Sequence, residues 1–202
     1  MDAAVDLVQS YLRLNGYFTE TEYPVLRLES QNTVTLTDVD LLAVRFPGAS
    51  RWSSEGRDRG IGVPPDPILN VTTEGMDMII AEVKEGKSRL HPSIRTPEGI
   101  EIILRRFGCC ADDLTSSARA VVQGRKAETQ LAHGMGGRIR IMVFGGTKAE
   151  PASPYDFVFL RHIVQFISRE MREYADLFLH SQLKDDTLGL LALIAKLGLE
   201  VH

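Results

Sequence analysis

The stretch MDMIIAEVKEGKS, residues 76–88, constrains the fold more than any other part of the chain. Its apolar centre lacks the two-residue alternation of a half-exposed strand, so a strand built from it must be covered on both faces. Glu82 and Lys84 then stand two apart at the margin of that strand, with their side chains leaving from one face. Two further segments read the same way. TVTLTDVDLLAVRF, residues 33–46, is apolar after Asp40, and RIRIMVFGG fills residues 138–146. Strands buried on both faces require helices on both sides of the sheet.

Helical periodicity supplies those helices. In AAVDLVQSYLRLNGY, the residues Val5, Val8 and Leu12 share one face and Asn15-Gly16 marks the stop. The spacing predicts further helices over residues 97–107, from the Asp112-Asp113 cap to about residue 132, over 161–179 and over 187–197. Residues 17–28, interrupted by Pro24, and the segment YDFVFL read as strands, and HGMGG, ending at Gly137, reads as a turn. The resulting order is α-β-β-β-α-α-β-(β)-α-α, an α/β chain with a mixed central sheet flanked by helices. Residues 1–146 are expected to form the core and 147–202 a C-terminal helical extension packed on the same domain. Residues 47–75, with five glycines and four prolines, read as a long loop insertion, either a flap or a mobile hairpin, that carries Trp52 among Arg51, Arg57 and Arg59.

With 202 residues, 44% of them hydrophobic, the chain has enough apolar material for one substantial core. No run of eighteen apolar residues occurs, and MDAAVDLVQS lacks the basic start of a secretory signal, so a cytoplasmic protein with no membrane partner is expected. Cys109 and Cys110 are adjacent and show no zinc-type spacing, and they read as reduced thiols. His91, His133, His162, His180 and His202 show no ligand spacing either and read as structural or exposed. The net charge of -4 argues against a broad basic coat for nucleic acid. Residues 84–140, however, hold 11 basic and 6 acidic side chains, which suits a phosphate-bearing partner held locally.

The segment AEVKEGKS approximates a phosphate-binding P-loop, with Ala81 where the first glycine belongs. Such a loop needs a glycine-rich turn and then an uninterrupted helix. Here two glutamates occupy the turn, Pro92 falls within about one helical turn of Ser88, and no later strand ends in an aspartate placed to hold magnesium. The NTPase reading fails on these points.

A metal-ion reading fits better. Asp38 and Asp40 lie near the start of one strand and Glu82 and Lys84 near the end of the next, and an antiparallel hairpin brings start against end. Mg2+ or Mn2+ prefers oxygen ligands, which Asp40, Glu82 and the Val83 carbonyl can supply, and it lowers the pKa of a bound water. Lys84 would then orient that water and offset charge developing on a phosphate. The plainer alternative is a cross-strand ion-pair cluster at a sheet end.

With YLRLNGY closing a first helix, then TDVDLLAV, then IIAEVKEG, residues 4–146 resemble the PD-(D/E)xK nuclease superfamily, whose members include restriction endonucleases and Holliday-junction resolvases. The resemblance implies a restriction-endonuclease-like αβββαβ core, with Asp40 as the family aspartate, Glu82 and Lys84 as its E-x-K, and Mg2+ (or Mn2+) as cofactor. The acidic residue that the first helix often contributes falls nearest Asp6, and Asp38 is a further accessory candidate. Two features depart from the pattern: the segment between Asp40 and the E-x-K is long, and Val39 stands where a proline often precedes the aspartate. The implied function is metal-dependent hydrolysis of phosphodiester bonds in nucleic acid, DNA before RNA, by an endonuclease. The alternative is a catalytically inactive binding or scaffold module of the same fold in a DNA-processing or defence assembly. Lys87, Arg89, Arg119, Arg125 and Lys126 are the candidate phosphate contacts, and a homodimer or larger assembly is open to either reading.

Overall fold

In the computed structural model, Asp2 opens the first helix, α1 (Ala3–Leu14), by accepting the Ala4 N–H at 2.8 Å. The structure describes residues 2–30, 32–50, 64–87, 92–108, 113–125, 127–130, 136–147, 153–175, 178 and 185–198. The strands are β1 (Phe18–Glu29), β2 (Asn32–Arg45), β3 (Met76–Lys87), β4 (Ala127–Gln130), β5 (Gly136–Thr147) and β6 (Asp156–Phe159). The remaining helices are α2 (Pro97–Arg106), α3 (Leu114–Val122), α4 (Leu160–Glu173) and α5 (Asp186–Lys196), with short 3-10 turns at Pro67–Leu69 and Pro92–Arg95. No helix among the described residues is long and apolar enough to cross a membrane.

The strands form one six-stranded mixed sheet in the order β1-β2-β3-β5-β4, with β6 also paired to β5. β1, β2 and β3 run antiparallel, and the connection through α2 and α3 brings β5 back parallel to β3. The continuous apolar runs are explained by what lies on each side. Ile79, Ala81, Val83, Met142 and Phe144 pack against α1, α4 and α5 through Val8, Leu12, Ile163, Phe166 and Leu188. Met78, Ile80, Ile139, Ile141 and Val143 pack against α2 and α3 through Ile100, Ile103, Leu104, Ala118 and Val121. Each such side chain contributes about 1.5–3 kcal/mol on leaving water, well above any backbone propensity difference.

Several elements differ from the sequence expectation. β1 runs unbroken through Pro24, which pairs with Asp38; β1 is the sheet edge, where a missing N–H costs no ladder bond. α3 stops at Val122, not near residue 132, because Gly124 turns the chain at φ +72 and a Cβ there would collide with Pro154. Residues 127–130 then pair with β5 as β4, and tertiary pairing overrides helical pattern. Gly136 and Gly137, expected in a turn, belong to β5 and pair with Gln130 and Thr129; a Cβ on the neighbouring Gly75 would strike the Gly136 carbonyl. α4 ends at Glu173, and beyond a turn at Tyr174 residues 175 and 178 are again helical. Residues beyond 147 add β6 to the sheet as well as helices to its α1 face. Within the 47–75 segment, Asp66 and Leu69 are buried, whereas Arg51, Trp52, Arg57 and Arg59 lie outside the described residues, as do Cys109 and Cys110.

One backbone feature shapes the site. Val39 and Leu41 are two apart on β2 and ordinarily would share a face, yet Val39 packs with the α2 side and Leu41 with the α1 side. The change of face falls at Asp40. On β1 it is matched at Glu22, which stands between the pairs Thr21↔Leu41 and Tyr23↔Val39 and has φ +54, a left-handed conformation in mid-strand. The β1–β2 ribbon rolls over at this point. Because Glu22 is exposed, Glu22→Gly is expected to leave stability unchanged or raise it by up to about 1 kcal/mol, while Glu22→Val lowers it by about 1–2 kcal/mol. Urea unfolding midpoints distinguish the two; equal effects would remove the conformational account.

Candidate functional site

The β2–β3 ladder runs from Arg45↔Asp77 to Leu41↔Ala81 and stops there. Beyond it, the Val83 N–H finds no backbone partner on β2 and instead donates to Asp40 Oδ2 at 2.7 Å. The rolled ribbon thus turns the Asp40 side chain into the gap that a ladder carbonyl would otherwise fill. In an extended strand the N–H and C=O of one residue leave on the same side, so the Val83 carbonyl borders the same gap.

Glu82 continues the face begun by Met78 and Ile80 and is 2% exposed. A carboxylate buried that far needs a charge partner. Lys84 provides it: Nζ lies 2.9 Å from Glu82 Oε1 and 3.4 Å from Asp40 Oδ2. Burial alone would lower the Lys84 pKa, but the hydrogen bond and charge of Glu82, joined by Asp40, outweigh it and hold the ammonium above the ordinary lysine value. The Lys84 side chain is 37% exposed, so the cluster opens to solvent on the ammonium side. On the other flank, the β3–β5 register shifts after Lys84 and a Cβ on Gly146 would collide with the Glu85 carbonyl, so glycine lets the two backbones close up beside the site.

The structure thus brings Asp40, Glu82, Val83 and Lys84 together. Asp38 is exposed opposite Pro24 and does not touch them. Asp6 sits in the first turn of α1, and α1 packs on the face to which Ala81 and Val83 point, whereas Glu82 leaves from the other; no hydrogen bond or ion pair joins Asp6 to the cluster. Arg119 and Arg125 are exposed at the end of α3 and just beyond it, with no contact to the site; the side chain of Lys87, and Arg89 and Lys126 entirely, lie outside the described residues.

Two carboxylates and a carbonyl form an all-oxygen donor set, which suits a hard divalent cation, and counting Lys84 they carry a single net negative charge. Among the described residues no group of three or more His, Cys, Asp or Glu side chains is gathered for a metal. Comparison with family models, with curated proteins and with solved structures returned no match to this chain.

A second polar group, which the sequence reading did not single out, lies at the opposite end of β3. Asp77 is fully buried and is bound by Arg138 at 2.9 Å, by Arg140 at 2.9 Å and by the Tyr17 hydroxyl. Arg140 also donates to Asp156 and to the Leu69 carbonyl, and Arg138 to the Asn70 carbonyl. Nearby Asp66, 4% exposed, accepts from Tyr11 at 2.9 Å, and His162 Nε2 lies 2.7 Å from it. His162 is thereby structural, and the other four histidines lie outside the described residues. Two guanidiniums therefore clamp the 66–70 segment to the sheet. The available signal was R-I-R-I placed across from M-D-M-I, where Asp77 pairs in register with Arg138.

This second group is a stability element. Burial, and then the adjacent Asp77 carboxylate, push the Tyr17 hydroxyl well above the ordinary tyrosine value. A raised folded pKa gives stability that is complete below the unfolded value of about 10 and is lost as pH climbs toward the folded one. Wild type is therefore expected to lose stability above that pH by up to about 1.4 kcal/mol per pH unit more steeply than Tyr17→Phe. At neutral pH, Asp77→Ala should cost about 3–5 kcal/mol, because it strands buried guanidiniums. Urea melts across pH 7–11 measure both, and parallel pH profiles for wild type and Tyr17→Phe would refute the assignment.

Proposed function

We propose that this chain is a divalent-metal-dependent phosphodiesterase of the PD-(D/E)xK type acting on nucleic acid, DNA before RNA. The observation that carries the reading is the convergence of Asp40, Glu82 and Lys84 on one ammonium at the point where β2 parts from β3. The element order supports it: α1, then the β1-β2-β3 meander, then α2 and α3, and after the short strand β4 comes β5 parallel to β3, an order into which the αβββαβ core of a restriction-endonuclease-like fold can be read.

Asp40, Glu82 and the Val83 carbonyl are the groups that would hold Mg2+ or Mn2+, which when bound supplies Lewis acidity toward a phosphoryl oxygen and a more acidic water. The chain's own contribution is positional and electrostatic. Asp40, pinned by the Val83 N–H, and Glu82, fixed by burial, present oxygens in a rigid pair. Lys84 is the most exposed member, 37% against 24% for Asp40 and 2% for Glu82, and its ammonium is the donor that meets phosphate oxygens as negative charge grows on them. Arg95, Arg105 and Arg119 are exposed on the α2–α3 side and offer backbone contacts to a phosphate chain.

The scaffold reading has one observation in its favour, the lack of a third acidic ligand among the described residues. Cleavage of supercoiled plasmid and of linear duplex separates the two. With Mg2+ or Mn2+ the wild type is expected to nick DNA, and Asp40→Asn, Glu82→Gln and Lys84→Ala are each expected to reduce the rate by at least about 100-fold. Cleavage that persists unchanged in Lys84→Ala would overturn the site assignment. Absence of both cleavage and calorimetric metal binding would leave the scaffold.

A further inference from the structure

We infer that Lys84 is the resident counter-ion of the metal-free site, so that a divalent ion enters only by displacing its ammonium from Asp40 and Glu82. The inference rests on the metal-site reading above and adds how that site is loaded.

The geometry places one cation where another is needed. Lys84 Nζ is within 2.9 Å of Glu82 Oε1 and 3.4 Å of Asp40 Oδ2, which belong to the two carboxylates that would hold the metal. Glu82, at 2% exposure, has little water to stabilise its charge, and the ammonium lies against it at 2.9 Å. The fixed and the movable partners are also distinct. Asp40 is tied to the Val83 N–H at 2.7 Å and Glu82 is enclosed, whereas Lys84 carries its charge on a flexible four-carbon stem, 37% exposed. A divalent ion held by these carboxylates would repel an ammonium a few ångströms away, and the ammonium, on the most exposed and most flexible side chain of the three, is the group that would move into water.

A consequence for regulation follows. Once displaced, Lys84 lacks an anion until a phosphate arrives on the solvent side. A phosphodiester at that position gives the ammonium a new partner and so favours metal binding, and by linkage the metal favours the phosphodiester to the same degree. Metal loading is then coupled to substrate, and the idle site is held shut by its own lysine.

A lysine that only orients water would leave metal affinity unchanged or weaker on removal; a resident counter-ion reverses the sign. Calorimetric titration with Mn2+ is expected to show Lys84→Met binding at least about tenfold more tightly than wild type. Lys84→Arg, which keeps the positive charge, is expected to bind no more tightly than wild type. Wild-type binding with equal or weaker binding by Lys84→Met overturns the inference and leaves the metal site standing. No Mn2+ binding by either protein overturns the metal site and the inference with it. Should Lys84→Met fail to fold, the wild type alone decides: the Lys84 13Cε and 15Nζ resonances should shift on Mg2+ titration, and resonances that stay still while Mg2+ binds refute displacement.

Discussion

A glutamate carboxylate at 2% exposure inside an apolar sheet is the constraint around which this site is organised. Glu82 occupies the next outward step of the row that Met78 and Ile80 begin, so the same strand geometry that buries two aliphatic side chains also buries a charge. Leaving that charge unpaired would cost a large fraction of the stability of a domain this size. The structure answers with the ammonium of Lys84 two residues on, which Asp40 from the neighbouring strand shares. Asp40 is not placed by the regular ladder. Asp40 reaches Val83 because β2 rolls over there, with Glu22 taking up the unusual backbone angle on β1.

The two ends of β3 solve the problem of buried charge in different ways. At its start, Asp77 is enclosed by two guanidiniums and a phenol, and carbonyls of the 66–70 segment and the Asp156 carboxylate accept further hydrogen bonds from the guanidiniums, leaving Arg140 Nε without one. That arrangement is closed and its charges are matched, and it fastens an otherwise irregular segment to the sheet. At the far end, Glu82 and Asp40 share one ammonium and face solvent through Lys84. A closed, balanced network suits a structural joint. An open one, in which two carboxylates share one ammonium, suits a place where a cation is exchanged.

Legibility differed between these features for a physical reason. The E-x-K spacing is local: two residues apart on a strand means one face, whatever the tertiary fold, so Glu82 and Lys84 could be paired by inspection. Asp40 was reachable because an antiparallel connection of neighbouring strands sets start against end. Asp38 looked equivalent to Asp40 by the same alternation, and the ribbon's change of face is what separates them. Asp6 sits on a helix whose side of the sheet no local pattern reports. Arg138 and Arg140 carry the same two-residue spacing as the E-x-K, but their partner Asp77 belongs to a strand 61 residues away, and parallel register is not written in either segment.

The sequence by itself determined five of the six strands, the helices that flank them, the double-sided burial of β3 and β5, and the common face of Glu82 and Lys84, because hydrophobic periodicity is a property of neighbouring residues. Only the tertiary structure decided where α3 ends and β4 begins, that Gly136 and Gly137 are strand rather than turn, and that residues 66–70 are clamped rather than loose. It alone decided that one ammonium lies between two carboxylates. Each of those depends on the distance between segments far apart in the chain, and that distance is fixed by packing, register and strand twist, which no single stretch of residues contains.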